Sequence, residues 1–196
     1  EAAQNVIAVL AGMEITTAEE AHILGIFPDS ASAKAASDEV AATIPDAVRQ
    51  AKVLGRQIVM NAGGDATRDE SRMLFMASGF ELSEAVALIR KHGGIAIASH
   101  VDRPANSIMS QLGMFPTDVS FDAIEISAAG VQSGRDAEFR PLGLPMLTSA
   151  DSHFLSDIGT SRTVFSMQEA TFDELVLALR RVENRCVCSL EGTPFA

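Results

Sequence analysis

The stretch Leu142-Gly143-Leu144-Pro145-Met146-Leu147-Thr148-Ser149-Ala150-Asp151-Ser152-His153 decides how this chain is read. Its apolar first half, Leu142 to Leu147, has the length and composition of a short buried strand. The run stops at an acid and an imidazole separated by one residue. At the mouth of a strand the backbone is still extended but starting to turn, so Asp151 and His153 project to one side and can share a cation or bridge two. The alternative is that Asp151 caps a turn and His153 is a surface residue. Short acid-and-imidazole motifs have many false positives, so the weight falls on whether the arrangement recurs.

It recurs twice. Val6 to Ile15 is a nearly continuous apolar run, the pattern of a strand covered on both faces, and Glu14 interrupts it. An acid inside such a run is costly unless paired or bound to a cation. A polar turn, Thr16 to Glu20, leads to His22-Ile23-Leu24-Gly25-Ile26-Phe27-Pro28, a second strand with an imidazole at its start. A hairpin of these two strands would return Glu14 and His22 to the same end of a sheet. Further on, Ile95 to Ser99 is short and apolar and ends in His100, and the loop Val101-Asp102-Arg103-Pro104 delivers a cation close to the same mouth.

The remaining pattern fills in the architecture. Asp29-Ser30 starts an Ala-rich helix, Ala31 to Val53, broken near Pro45. Arg56 to Asn61 reads as a short strand, Ala62 to Asp65 as a turn, and Glu70 to Ala77 as a short helix. A helix capped by Ser83 runs to His92, which is read as a cation at the helix C-terminus rather than a ligand. Phe121 to Ser127 is a strand in which Glu125 is read as hydrogen-bonded within the wall. Thr171 caps a last helix, and Cys186 to Leu190 gives a last strand. Alternating strands and helices predict an α/β architecture with a largely parallel sheet, with the polar groups at the C-terminal mouth of its strands.

Composition sets the bounds. The chain has 196 residues, 47% hydrophobic and 21% charged, enough for one domain with its own core. With a formal net charge of −11 and no stripe of Lys and Arg, a nucleic-acid partner is not expected. No apolar run reaches membrane-span length and the first residues lack a signal-peptide pattern, so no membrane partner and a cytoplasmic location are expected. The two cysteines, Cys186 and Cys188, are read as reduced packing residues.

Three blocks carry a family resemblance: Gly12-Met13-Glu14-Ile15-Thr16-Thr17 followed by His22-Ile23-Leu24-Gly25; Ile95-Ala96-Ile97-Ala98-Ser99-His100; and Ser149-Ala150-Asp151-Ser152-His153. Together the sequence resembles the polymerase-and-histidinol-phosphatase (PHP) family of metal-dependent phosphoesterases, over nearly the whole chain. The resemblance implies a distorted seven-stranded β/α barrel of TIM-like type, here as a single domain over residues 1–196. The family's opening His-x-His strand and the Thr-Asp-His block after it have no counterpart, since the only histidines are His22, His92, His100 and His153. The barrel is therefore expected without its N-terminal strands, as in a fragment of a longer protein.

For the intact protein the resemblance implies two or three divalent ions, Zn, Mn or Fe, held by Glu14, His22, His100, Asp151 and His153. Asp151 and Arg103 would act on the substrate, Arg103 or Arg162 gripping phosphate oxygens, with an ordinary ion pair favoured for Arg162. Asp102 and Glu125 would support the ligands from behind. The implied activity is hydrolysis of a small phosphate ester, such as a nucleotide or sugar phosphate, by a metal-activated water. Carbon–nitrogen hydrolysis of the amidohydrolase type and a non-catalytic binding module are the alternatives. No oligomeric state is expected from the sequence.

Overall fold

Ile95–Ala98 is the strand on which the rest is built, and all four of its side chains are buried. In the computed structural model, which describes residues 7–44 and 56–192, it is the middle strand of a five-stranded mixed sheet. Numbered in chain order, the strands are β1 (Ala11–Thr16), β2 (His22–Phe27), β3 (Ile58–Met60), β4 (Ala66–Asp69), β5 (Ile95–Ala98), β6 (Ala123–Glu125), β7 (Met146–Leu147), β8 (Ser161–Ser166) and β9 (Cys186–Gly192). The helices are α1 (Ser30–Ala41), α2 (Leu82–Lys91), α3 (Ile108–Leu112), α4 (Ala128–Gln132), α5 (Asp136–Phe139) and α6 (Phe172–Leu179). The main sheet has the order β1-β2-β5-β6-β7. β1, β2 and β5 pair antiparallel, whereas β5, β6 and β7 pair parallel.

Both faces of β5 are covered, which is why it carries no polar side chain. Ala96 and Ala98 face a core with Ile15, Ile23 and Phe27, closed by Ala36 and Val40 of α1 and by Ala85, Val86 and Ile89 of α2. Ile95 and Ile97 face the other way, with Ala123, onto Phe172, Leu175 and Leu179 of α6. Each fully buried isoleucine contributes roughly 1.5–3 kcal/mol. Small side chains on one face let α2 approach closely, and branched ones fill the other.

The α2 helix shows how local sequence sets these elements. Leu82, Ala85, Val86, Leu88 and Ile89 share its buried face, and Arg90 and Lys91 stand in its last turn, where cations are favoured. Its cap lies two residues before the Ser83 expected. Glu81 is the cap residue, its N–H accepted by Glu84 Oε2 at 2.9 Å, and Glu19 Oε1 accepts the Leu82 N–H at 3.0 Å. Gly93, at φ 74°, ends the helix in a left-handed conformation that costs a glycine little. His92 is its C-cap, and His92 Nε2 lies 2.8 Å from Glu39 Oε1.

The structure corrects the expected barrel. The described residues form an open five-stranded sheet with two separate two-stranded sheets, β3-β4 and β8-β9, and not a closed TIM-like barrel. The reason is the hairpin: β1, β2 and β5 alternate in direction, so the repeating strand–helix–strand unit that closes a β/α barrel covers only β5, β6 and β7. The sheet is accordingly mixed rather than largely parallel. Two local readings also change. Leu142 to Leu147 contributes only the two-residue β7, because Arg140–Leu142 is a 3-10 turn ended by Gly143 at φ 69°. Glu70 to Ala77 is turn and bend instead of helix. The expected helix beyond Ala41 lies partly outside the described residues.

Candidate metal centre

Glu14 and His22 meet because of the β1–β2 register. Thr16 pairs with His22 and Glu14 with Leu24, so the two side chains are diagonal neighbours on one face of the hairpin. Glu14 Oε2 lies 3.2 Å from His22 Nδ1. The His22 backbone is fixed on both sides, its N–H donating to Asn106 O at 2.8 Å and its carbonyl accepting from Ser99 N at 3.3 Å. His100 stands two residues past the end of β5, and its Nε2 is 3.6 Å from Glu14 Oε1. The two imidazoles meet edge to face, with ring centroids 5.3 Å apart. Ligand atoms of Glu14, His22 and His100 all lie within 4.8 Å of one another.

The electrostatics of this cluster suit a cation. Burial works to raise the Glu14 carboxyl, but the imidazoles of His100 and His22 outweigh it and hold the group well below the usual carboxylate range. His22 Nδ1 and His100 Nδ1 are buried without a partner in hydrogen-bond geometry. Such orphaned nitrogens cost free energy that an ion at the first of them would offset. The donor set of one carboxylate and two imidazoles is that of a borderline divalent metal ion.

Opposite the cluster stands the loop after β7. Arg103 Nη1 lies 2.6 Å from Asp151 Oδ2. His153 Nδ1 is 2.8 Å from the Asp151 carbonyl oxygen, which can only accept, so Nδ1 is the donor of that bond. Glu14, His22, His100, Arg103, Asp151 and His153 line one cavity of about 350 Å³ with Pro104, Ala105 and Asn106. The structure thus brings every expected site residue to one cavity, but only Glu14, His22 and His100 into a tight cluster. His153, with 74% of its side chain exposed, stands at the rim. Arg162 pairs with Glu191 at 2.7 Å on the β8–β9 hairpin, the ordinary ion pair favoured from sequence.

Buried acids hold the loops in place. Glu125 Oε2 accepts the His100 N–H at 3.1 Å, and its Oε1 accepts the Ser149 hydroxyl. Asp102 accepts the Ser127 N–H at 2.7 Å and the Ser127 hydroxyl at 2.6 Å, which ties the Arg103 loop to the start of α4. Arg135 Nη1 donates to the Asp102 carbonyl at 3.0 Å. Ser127, Arg135 and Asn106 were not singled out by sequence; each acts through a backbone contact that leaves no spacing signal. His100 and Asp151 also share a backbone feature, at φ 28° and 46°. Left-handed non-glycine residues are uncommon and concentrate where surrounding structure holds a functional group in place.

The acid-and-imidazole cluster thus joins side chains of the antiparallel β1–β2 hairpin to the loop that follows β5. Residues 139–183, which include Asp151 and His153, match the family model PHP_C, described as PHP-associated. Among solved structures, the fold is similar to the lesion-specific endonuclease PfuEndoQ from Pyrococcus furiosus, with TM-score 0.63 and 16% identity over 92% of this chain and 41% of that one. It is similar also to endonuclease Q in complex with a 27-mer duplex carrying an abasic lesion at its active site, with TM-score 0.61 and 15% identity over 92% of this chain and 41% of that one. The family match and the shared fold support the PHP resemblance read from the three sequence blocks. The chain spans about two fifths of the length of these structures. No curated protein matches the sequence.

These relatives correct the exclusion of nucleic acid. A protein of this fold is an endonuclease seen on duplex DNA, so an acidic composition does not rule out such a partner. Net charge averages over the whole surface, whereas a phosphate is met by a few donors at one site. Among the described residues, no helix is long and apolar enough to cross a membrane.

Proposed function

We propose that this chain carries the metal centre of a PHP-type hydrolase that cleaves phosphodiesters, with nucleic acid as the substrate class. The observation that supports it is one cavity in which a carboxylate–imidazole cluster faces an arginine and a second acid-and-histidine pair. The substrate class rests on the likeness to endonuclease Q.

In this reading Glu14, His22 and His100 hold one divalent ion, and Asp151 and His153 supply ligands across the cavity. When bound, the metal acts as a Lewis acid and lowers the pKa of a water so that hydroxide forms near neutral pH. The protein's own groups do the rest. Arg103 presents a planar fork to non-bridging phosphate oxygens, and its pairing with Asp151 fixes that fork before substrate arrives. Asp151 therefore serves both as anion and as the group that orients Arg103. The bond from His153 Nδ1 to the Asp151 carbonyl fixes the tautomer that leaves Nε2 able to bind metal or accept a proton. Glu125 holds the backbone of His100 and so the position of its ring.

The test pairs metal binding with turnover. Titrating the chain with Mn²⁺ or Zn²⁺ in a calorimeter should give saturable binding that His22→Ala and Glu14→Gln each abolish. With metal present, an abasic-site duplex or bis(p-nitrophenyl) phosphate should be cleaved, and Arg103→Ala should slow cleavage while leaving metal binding intact. Metal binding unaffected by both ligand substitutions would overturn the site. Intact metal binding without cleavage of any phosphodiester would overturn the activity.

A further inference from the structure

Cys186 and Cys188 sit at the start of β9, away from the candidate metal centre, and they are the only two cysteines of the chain. Residues two apart on a regular strand share a face, with Cα atoms roughly 6.7 Å apart, at the upper edge of what a disulfide spans. The hairpin alters that spacing here. Val164 of β8 pairs with Ser189 and the next residue, Phe165, pairs with Val187, so Cys188 is the extra residue of a bulge. A bulge bends its strand and re-aims the side chain it carries. The two sulfurs lie 3.9 Å apart, with Cys188 exposed and Cys186 partly so.

We propose that Cys186 and Cys188 form a redox-active dithiol that closes reversibly to an intramolecular disulfide on reaction with a small-molecule disulfide. This replaces the sequence reading of the pair as inert packing residues. In the first step the exposed Cys188 thiolate attacks one sulfur of the oxidant, the oxidant's S–S bond breaks, and one small thiol leaves. In the second, Cys186, having lost its proton, attacks Cys188 Sγ of the mixed disulfide and displaces the second half of the oxidant. The protein gives up two protons and two electrons, and the oxidant becomes two thiols. The loop closed is so short that it constrains the unfolded chain little, so folding stability does little to oppose reduction of the bond, unlike in a structural staple.

The test is titration of the full chain with oxidised glutathione at mildly alkaline pH, read by thiol count and intact mass. Both thiols should disappear, the mass should fall by two hydrogens, and dithiothreitol should restore the starting state. Cys186→Ser and Cys188→Ser should each keep a single glutathione adduct instead. Closure should also be severalfold faster in the folded protein than in urea, since the bulge holds the sulfurs together. A stable glutathione adduct on the wild type, cross-linked dimers, thiols that survive excess oxidant, or equal rates folded and unfolded would each overturn the proposal.

Discussion

The buried carboxylate of Glu125, on β6, holds the backbone N–H of His100 at 3.1 Å, past the end of the neighbouring strand β5. The same carboxylate accepts the Ser149 hydroxyl two residues before Asp151. One acid therefore ties together the two loops that carry His100 and Asp151.

Glu125→Ala should leave both donors without that acceptor, at a cost of about 1–3 kcal/mol in urea unfolding. Loss of the group that positions His100, a proposed ligand, should also weaken divalent-ion binding roughly 10–100-fold, measured by calorimetry. Glu125→Gln keeps an acceptor oxygen and should recover most of both. If Glu125→Ala binds metal as tightly as the wild type, Glu125 has no positioning role.

Gly130→Ala should destabilise through space rather than dihedral strain, because Gly130 is not among the positive-φ glycines. An added Cβ would sit 2.3 Å from Asp102 Oδ2 and 2.8 Å from Ile126 Cγ2. Asp102 cannot retreat without breaking its two bonds to Ser127. A cost of about 1–3 kcal/mol is expected for such overpacking. An unchanged melting temperature would mean that the loop bearing Arg103 is softer than these contacts imply.

His100→Ala and His100→Gly remove the same imidazole but differ in backbone freedom. At φ 28° the alanine keeps a Cβ penalty that glycine lacks, so the glycine variant should be the more stable by roughly 1 kcal/mol. Both should lose metal binding. An alanine variant more stable than the glycine one would show that the loop relaxes once the ring is gone.

Acidification should remove a contribution to stability that Glu70 makes at neutral pH. Hydrogen bonds from the Arg72 side chain and backbone, with a further one from Arg68, draw the Glu70 carboxyl down from 4.5 to about 2. A depressed folded pKa means that the ionised form is favoured by folding. Its contribution is complete above pH 4.5 and drains away as pH falls toward 2. Glu70→Gln should flatten that part of the stability–pH curve, followed by circular dichroism, with its largest loss of stability at neutral pH and convergence on the wild type toward pH 2. A curve identical to wild type across the window would remove Glu70 from the account.

How much of this was legible in the sequence follows the physics of each feature. Glu14, His22, His100 and Asp151, which line one cavity, could be singled out because an acid or imidazole at the end of an apolar run is an energetic anomaly, and anomalies show in one dimension. The β1–β2 hairpin was legible from two apolar runs and a polar turn, and with it the meeting of Glu14 and His22. Barrel closure was not, because it depends on strand direction, and β2 and β5 have no local signal that they run antiparallel. The split of the site into a tight triad and a looser Asp151–His153 rim was equally hidden, since it is set by loop conformations such as the left-handed turn at Asp151. The role of Cys188 needed the pairing register, as a bulge is a mismatch between two strands and belongs to neither alone.

The β8–β9 hairpin meets β7 through side chains and not through a shared ladder. Thr148 N–H donates to Thr163 Oγ1 at 2.8 Å, Thr163 Oγ1 donates back to Thr148 O at 2.8 Å, and the Thr148 and Ser161 hydroxyls are 2.9 Å apart. Those hydroxyl bonds, the packing of Phe165 and Val187, and the contacts of β9 with α4 and α6 must part for the hairpin to lift as a unit. Amide exchange should therefore follow two separate opening reactions, a low one for β8 and β9 and a higher one for β5, whose amides are released only when the whole sheet comes apart. The chain is cooperative at its centre and modular at this margin, and a ligand seated against β7 would register first as slowed exchange in a hairpin it does not touch.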